Sequence, residues 1–565
     1  MTRRFSFSPI ATFWTWFLCA ITLGPFLVWP TLNVLFGALV QDGAWSPSLI
    51  LLPFTDPNTR EAMLNSLWIA LWTTLAATLI AFPLAYFTSR LRFAGKGWLS
   101  GFLLVPLLLP PLVGAVGIRQ MLGREGMLNT LLLQLRVLDE PILWLQMQIP
   151  MIVLIGALHL YPLIYLNLAS SWANIDPSLE EAAENLGANG WKLWRSVTLP
   201  LLMPGYFAGA LIVFIFALTD LGTPLVFNFD NVAAVRIYDA RTTFNASGYV
   251  IAFWLTVLAA AVFWISRRFL DRGSERIATL SRATTSGRER NASMLERVLV
   301  YTVFFIVIFL ALLPHIGVVL ASFADDWTAR VWPSWTTENY QRIVNDPITN
   351  TMGSIKTSLI CAALSMTIDI IAGFFLAYAL VRGKVWGKTF LDTVAMLPLA
   401  LPGLILAFGL LTTFRRDGNP LDPMQNALPL LVIAYAVRRL PYALRAVSGG
   451  LQQMSVTLEE ASLNLGASPL RTVWNITRPL VMANLLAAGL LTFAFAVLEV
   501  SDSLLLTMDD QTVPIAKAIY QLSIATTGGT FLACALGVVG MALLTLTFLF
   551  ANKLLGKQLG ALFRV

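Results

Sequence analysis

Long apolar runs broken by short polar punctuation dominate the chain, and none of them alternates apolar with polar residues as a barrel strand would. A helix needs about 20 apolar residues to cross ~30 Å of hydrocarbon. Turn signals and charges divide the runs into about twelve such spans. Six are predicted at roughly 10–40, 63–88, 99–118, 146–170, 203–227 and 248–268, and six more at roughly 298–322, 354–381, 389–413, 427–450, 481–507 and 531–554. The pattern predicts an all-α integral membrane protein.

Composition narrows the class further. Of 565 residues, 57% are hydrophobic and 12% charged, about half the charged fraction of a soluble domain. The net charge of +7 is not a nucleic-acid footprint, because its sources lie in separate loops on one side. They are Arg3/Arg4, Arg90/Arg92/Lys96, Lys192/Arg195, Arg382/Lys384/Lys388, Arg471/Arg478 and Lys553/Lys557/Arg564, with eight arginines between Ser266 and Arg297. The positive-inside bias puts that set of loops, and both termini, in the cytoplasm. Cys19, Cys361 and Cys534 lack metal or redox spacing and read as small buried apolar residues.

The chain also repeats itself. From Glu180, "EEAAENLGANGWKLWRSVTLPLLMPG" aligns without a gap to "EEASLNLGASPLRTVWNITRPLVMAN" from Glu459, and further upstream Pro106/Pro110 match Pro398/Pro402. Two six-helix halves of equal topology, 1–268 and 298–565, are therefore expected around a pseudo-two-fold axis along the membrane normal. The polar stretch 269–297 joins them as a cytoplasmic connector. Near 176–200 and 455–479 each half carries an acidic helical knob. Asp176 is placed to cap the first knob with Pro177 behind it, and Gly187 to end it in a left-handed turn. Leu179, Ala182, Ala183 and Leu186 share one face, and Asn189 or Ser468 starts a second short helix.

These acidic phrases closely resemble the EAA loop of permease subunits in binding-protein-dependent ABC importers. Two copies in one chain are similar to the fused permeases of the ferric-iron, thiamine and aminoethylphosphonate groups. The resemblance implies a multi-pass protein of the bacterial inner membrane. It implies partners as well: homodimeric ATP-binding subunits, which bind ATP and magnesium, and an extracytoplasmic solute-binding protein. It assigns Glu180, Glu181, Ala182 and Gly187, with Glu459, Glu460, Ala461 and Gly466, to the contact with the ATPase. "LTDLGTPLVFN" and "RRLPYALRAVSGGLQQ" resemble the ferric-iron group most, which makes ferric iron the leading cargo, with 2-aminoethylphosphonate or thiamine as alternatives.

The rest of the chemistry is sparse. "RGKVWGKTF" misses the phosphate-loop spacing by one residue, so no nucleotide site, catalytic residue, metal site or cofactor is expected in this chain. His159 and His315 read as locally bonded span residues. Ionisable groups inside a membrane usually face a cavity or a partner, which makes Asp220, Asp369, Arg438, Arg439 and Glu499 candidates for a translocation path. Arg438 and Arg439 could form an anion-friendly path if Pro441 broke their helix, or they could reach out to the interface. A proton-coupled carrier is the other class such groups would suit, but it has no ATPase for the knobs to grip. Glu181→Lys or Glu460→Lys is expected to uncouple transport without removing the chain from the membrane; normal uptake by both variants would refute that role.

Overall fold

The computed structural model describes residues 9–41, 43–278, 289–345, 350–383, 385–525 and 528–555. Arg3, Arg4, Lys384, Lys557, Arg564 and the middle of the expected connector lie outside these residues. Among the described residues, nine helices are long and apolar enough to cross a membrane, and three bent pairs raise the count to twelve. Only three two-residue to three-residue strand pairings accompany them.

The departures from straight spans recur in both halves. The third span bends by 88° between Lys96–Leu107 and Pro111–Gln134, and the ninth by 101° between Lys388–Ala400 and Gly403–Phe414. Proline lacks a backbone donor and pushes its predecessor out of the helical region. Accordingly Leu109 and Leu401, each before a proline, are extended at ψ 135° and 130°. A break in hydrocarbon leaves carbonyls that need donors. The first half supplies them from the fourth span, Gln148–Ala173: Tyr161 donates its hydroxyl to the Leu103 carbonyl and the His159 Nδ1–H bonds the Pro106 carbonyl, both at 2.8 Å.

Other boundaries shift for local reasons. The sixth helix runs from Ala246 to Ala278, ten residues beyond the expected end of its span, so the connector starts as helix rather than as an irregular stretch. The expected eleventh span, 481–507, divides into Met482–Val497 and the short helix Ser501–Leu506. By contrast Pro441 sits inside an unbroken helix, Ala427–Gln453.

Each half lends its first span to the other. Trp29–Gly37 lies along Gly403–Phe414 of the second half, with Asn33 donating to Thr412 and Thr413 at 3.3 and 3.1 Å. Met294–Ser322 lies along Pro111–Leu122 of the first half in the same way. Equivalent glycines make both seats possible. A Cβ on Gly117 would stand 2.2 Å from the Pro314 carbonyl oxygen, and one on Gly409 would stand 2.7 Å from that of Pro30. Small residues that let backbones touch are the usual device for joining helices in lipid.

The crossing is braced on the side where the second span ends. Leu91–Arg92 pairs in parallel with Arg290–Asn291, and Glu289 bridges Arg92 and Lys96 at 3.0 and 2.9 Å. Ser293 and Glu296 form a capping box that opens the seventh span, and Arg290 pairs with the Glu296 carboxylate. On the other half Trp16 donates to the Trp386 carbonyl at 2.9 Å. Cys19, Cys361 and Cys534 are buried. Gly117→Ala should destabilise the detergent-solubilised chain by about 1–3 kcal/mol through overpacking, while Gly97→Ala, which meets open space, should not. Equal melting temperatures for the two variants would remove the seat from the account.

Candidate functional site

The two acidic knobs fold as near copies. Asp176 caps Pro177–Asn185 by accepting from the Ser178 amide at 2.9 Å, and Ser455 caps Val456–Asn464 by accepting from the Thr457 amide at 3.3 Å. Gly187 and Gly466 end them at φ +83° and +87°, a left-handed position that glycine occupies at no steric cost. Ser468 caps the next helix, with Pro469 in its first position, as expected. In the first copy the cap falls on Gly190 rather than Asn189. There the following helix is no separate piece but runs directly into the fifth span, Trp191–Val226.

The first glutamate of each pair is not on the surface. Glu180 is buried, ion-paired with Arg90 at the end of the second span, and accepts from the Thr198 hydroxyl at 2.9 Å. Glu459 repeats this, with Arg382 Nε at 2.9 Å and the Thr477 hydroxyl at 2.6 Å. Both threonines close π-helical turns, Trp194–Thr198 and Val473–Thr477, a geometry that concentrates at functional sites. Glu180 and Glu459 therefore tie each knob to its own half from within. That is a different place from the outward contact the resemblance implied for them.

What the knobs display is apolar. Leu186 and Leu465, one residue before the two glycines, are 87% and 89% exposed, more than any other large apolar side chain among the described residues. Trp191 stands out beside the first and Leu470 and Trp474 beside the second. Glu181, Ala182 and Ala461 are exposed and Glu460 is half-buried, so these four remain on the presented face with Gly187 and Gly466. Of the apolar residues that share one face of the first knob, Ala182 and Leu186 are exposed and Leu179 and Ala183 half-buried. The signal for the exposed leucine was in the sequence: a leucine next to a left-handed glycine has no helix turn to cover it.

The intramembrane candidates divide sharply. Arg438 and Arg439 are both ion-paired within the second half. Both guanidinium groups bind Glu499, Arg438 also meets Asp502 at 3.4 Å, and Arg439 donates to the Phe495 carbonyl at 2.6 Å. The Ser503 hydroxyl donates to the Glu499 carbonyl and meets the Tyr435 hydroxyl at 2.6 Å. These bonds satisfy the backbone freed where the eleventh span stops. Arg438 also occupies the space a side chain on Gly403 would need, so the cluster closes against the break in the ninth span. Asp369 is fully buried and neither of its oxygens has a hydrogen bond among the described residues; Arg439 acts on it through space.

The first half builds nothing comparable. Its counterparts of Arg438 and Arg439 are His159 and Leu160, and Asp220, the counterpart of Glu499, makes no ion pair among the described residues. One Asp220 oxygen accepts from the Gly222 and Thr223 amides at 3.1 and 3.5 Å. The carboxylate is half-buried, two residues from the place where Gly222 approaches Val500 of the other half.

A duplicated, swapped bundle with paired knobs defines a two-fold membrane permease. The family model for the inner membrane component of binding-protein-dependent transport systems matches residues 77–276 and again 369–559, and the chain belongs to that family. It is similar to the ferric transport system permease protein FbpB of Actinobacillus pleuropneumoniae, at 27% identity over 94% of this chain and 76% of the relative. A putative ferric transport system permease protein of Haemophilus influenzae is 27% identical over 86% and 77%. The spermidine/putrescine transport system permease protein PotB of Escherichia coli is 33% identical over 39% of this chain and 82% of its own length. The chain is thus a permease subunit rather than an enzyme, of a system that includes a solute-binding protein and an ATPase.

Removing one member of a buried ion pair typically costs about 3–5 kcal/mol. Glu180→Ala should therefore loosen the first knob and speed tryptic cleavage at Lys192 and Arg195, both exposed, with no change at Arg471. Equal cleavage in the variant and the parent would show that the ion pair does not hold the knob.

Proposed function

We propose that the chain forms the two-fold membrane path of an ABC importer for a cationic cargo, with ferric iron first. The carrying observation is the pair of latched knobs, each presenting one exposed leucine at an equivalent position. Two equal knobs suit two equal ATPase subunits, so a homodimeric ATPase holding ATP and magnesium is the partner we assign. In this reading Leu186 and Leu465 are the anchors, flanked by Glu181, Glu460, Ala182, Ala461, Gly187 and Gly466. Glu180 and Glu459 carry the motion inward through Arg90 and Arg382. The knobs and both termini then face the cytoplasm. Closure of the ATPase dimer moves the knobs together and favours the outward-facing arrangement of the halves, in proportion to the difference in contacts between the two states.

The charge layout supports a cation. The arginine pair at depth is ion-paired with Glu499 and Asp502, which weighs against phosphonate cargo. Asp220, near the contact between halves, makes no ion pair among the described residues and accepts only two backbone amides. Iron is favoured over polyamine by the length of the match, since the ferric permease relatives align along most of this chain and the polyamine permease along one segment. A proton-coupled carrier would leave the knobs without a use.

Uptake of labelled ferric iron, spermidine and aminoethylphosphonate, in cells lacking the chain and after its restoration, tests the cargo. Restored iron uptake is expected; restored phosphonate uptake alone would refute the cation reading. Leu186→Asp with Leu465→Asp should release the ATPase from membranes that still hold the permease, and continued co-purification would refute the anchors. Asp220→Asn retains the oxygen that accepts both amides and loses only the charge. It should lower cation uptake, and unchanged uptake would reduce Asp220 to a helix cap.

A further inference from the structure

At the end of the bundle opposite the knobs, each half lays down a short helix between its last two spans, Ala233–Thr243 in the first half and Ile515–Ile524 in the second. Counted from their equivalent first residues, Ala233 and Ile515, the two helices carry Tyr238 and Tyr520 at the same position. Each helix hangs from its own half by a matching bond. The Ala233 amide donates to the Ser66 hydroxyl at 2.8 Å, and the Ile515 amide to the Ser358 hydroxyl at 2.9 Å, on the second and eighth spans. The starts are pinned, and the bodies of the helices meet.

They meet through one aromatic contact. The rings of Tyr238 and Tyr520 lie 6.4 Å apart, nearly perpendicular at 89°, in the edge-to-face arrangement worth about 0.5–1.5 kcal/mol beyond its buried area. The Arg241 guanidinium covers the Tyr238 ring at 3.5 Å. Arg415, from the end of the ninth span, donates to the Arg241 carbonyl at 3.2 Å and stacks over Phe244. Thus the second half also grips the far end of the first half's helix. Charges of both signs stand at the seam: Lys517 lies near Arg241 and also near Asp509 and Asp510, and burial, then Arg241, hold its ammonium below its ordinary value. A closure that rests on one ring contact is easily parted.

We propose that these two helices are the outer lids of the path, and that the Tyr238–Tyr520 ring contact is the seal holding them shut. The serine bonds act as hinges, and Arg415 sets the closed position of the first lid. The inference rests on the importer reading of the chain.

The test uses the whole transporter, permease with its ATPase, in proteoliposomes with its solute-binding protein. Tyr238→Ala with Tyr520→Ala should raise ATP hydrolysis in the absence of binding protein severalfold, whereas Tyr238→Phe with Tyr520→Phe, which retains both rings, should behave as the parent. Basal hydrolysis unchanged in the alanine pair would overturn the seal. A second measurement is independent of that variant's folding. Tyr238→Cys with Tyr520→Cys is treated with a short bis-maleimide, the native cysteines being buried, and the bridged peptide is quantified by mass spectrometry. Bridging should stop uptake, and its yield should fall severalfold after trapping with ATP and vanadate. Full uptake by the bridged protein, or equal yields in both states, would overturn the lids. Absence of ATP-driven uptake in the unsubstituted transporter would instead overturn the importer reading.

Discussion

Hydrocarbon offers no hydrogen bonds, and that one constraint governs every irregular feature in this protein. Where a span is broken, something must answer the exposed carbonyls. Tyr161 and His159 answer them at the third span; Arg439 and Ser503 answer them where the eleventh stops. Those donors are themselves polar groups at depth, so each needs a fixed neighbour in turn. Glu499 is that neighbour for both arginines. The intramembrane charges are thus largely a consequence of the breaks, and the breaks are what give two stacks of helices an interior to enclose.

The same constraint explains why the halves diverged while sharing a fold. The break in the third span is satisfied by neutral groups and the stop of the eleventh by Arg439 and Ser503, and only the arginines require carboxylates beside them. Glu499 became committed to internal pairing, whereas Asp220 accepts only the Gly222 and Thr223 amides. Equivalent positions under equivalent backbones thereby acquired different duties.

Much of this was legible in the residues. Hydrophobic run lengths gave the helical class, and the internal alignment gave the duplication, because both depend on local pattern. Asp176, Pro177, Gly187, Ser468 and Pro469 behave as their local chemistry demands. What the sequence hid is contact between distant segments. Nothing near Glu180 announces that Arg90 lies beside it, so a glutamate in a surface-like phrase read as exposed. Nothing near Arg438 announces Glu499, sixty-one residues away, so a paired arginine read as a free one. Pro441 read as a breaker, yet its helix holds, while Pro110 and Pro402 do break theirs.

The crossed first spans carry a consequence for how the protein is made. Asn33 finds its partner 380 residues later, and contacts of such separation form late. A chain synthesised from its amino end inserts Trp29–Gly37 long before Gly403–Phe414 exists. Until then that helix has the sixth span of its own half, where Gly37 lies against Tyr249, but nothing for Asn33 to bond. The first half therefore cannot finish folding when it is finished being translated. Its last step belongs to the second half, and a ribosome that stops between the two leaves Asn33 without the threonines it bonds.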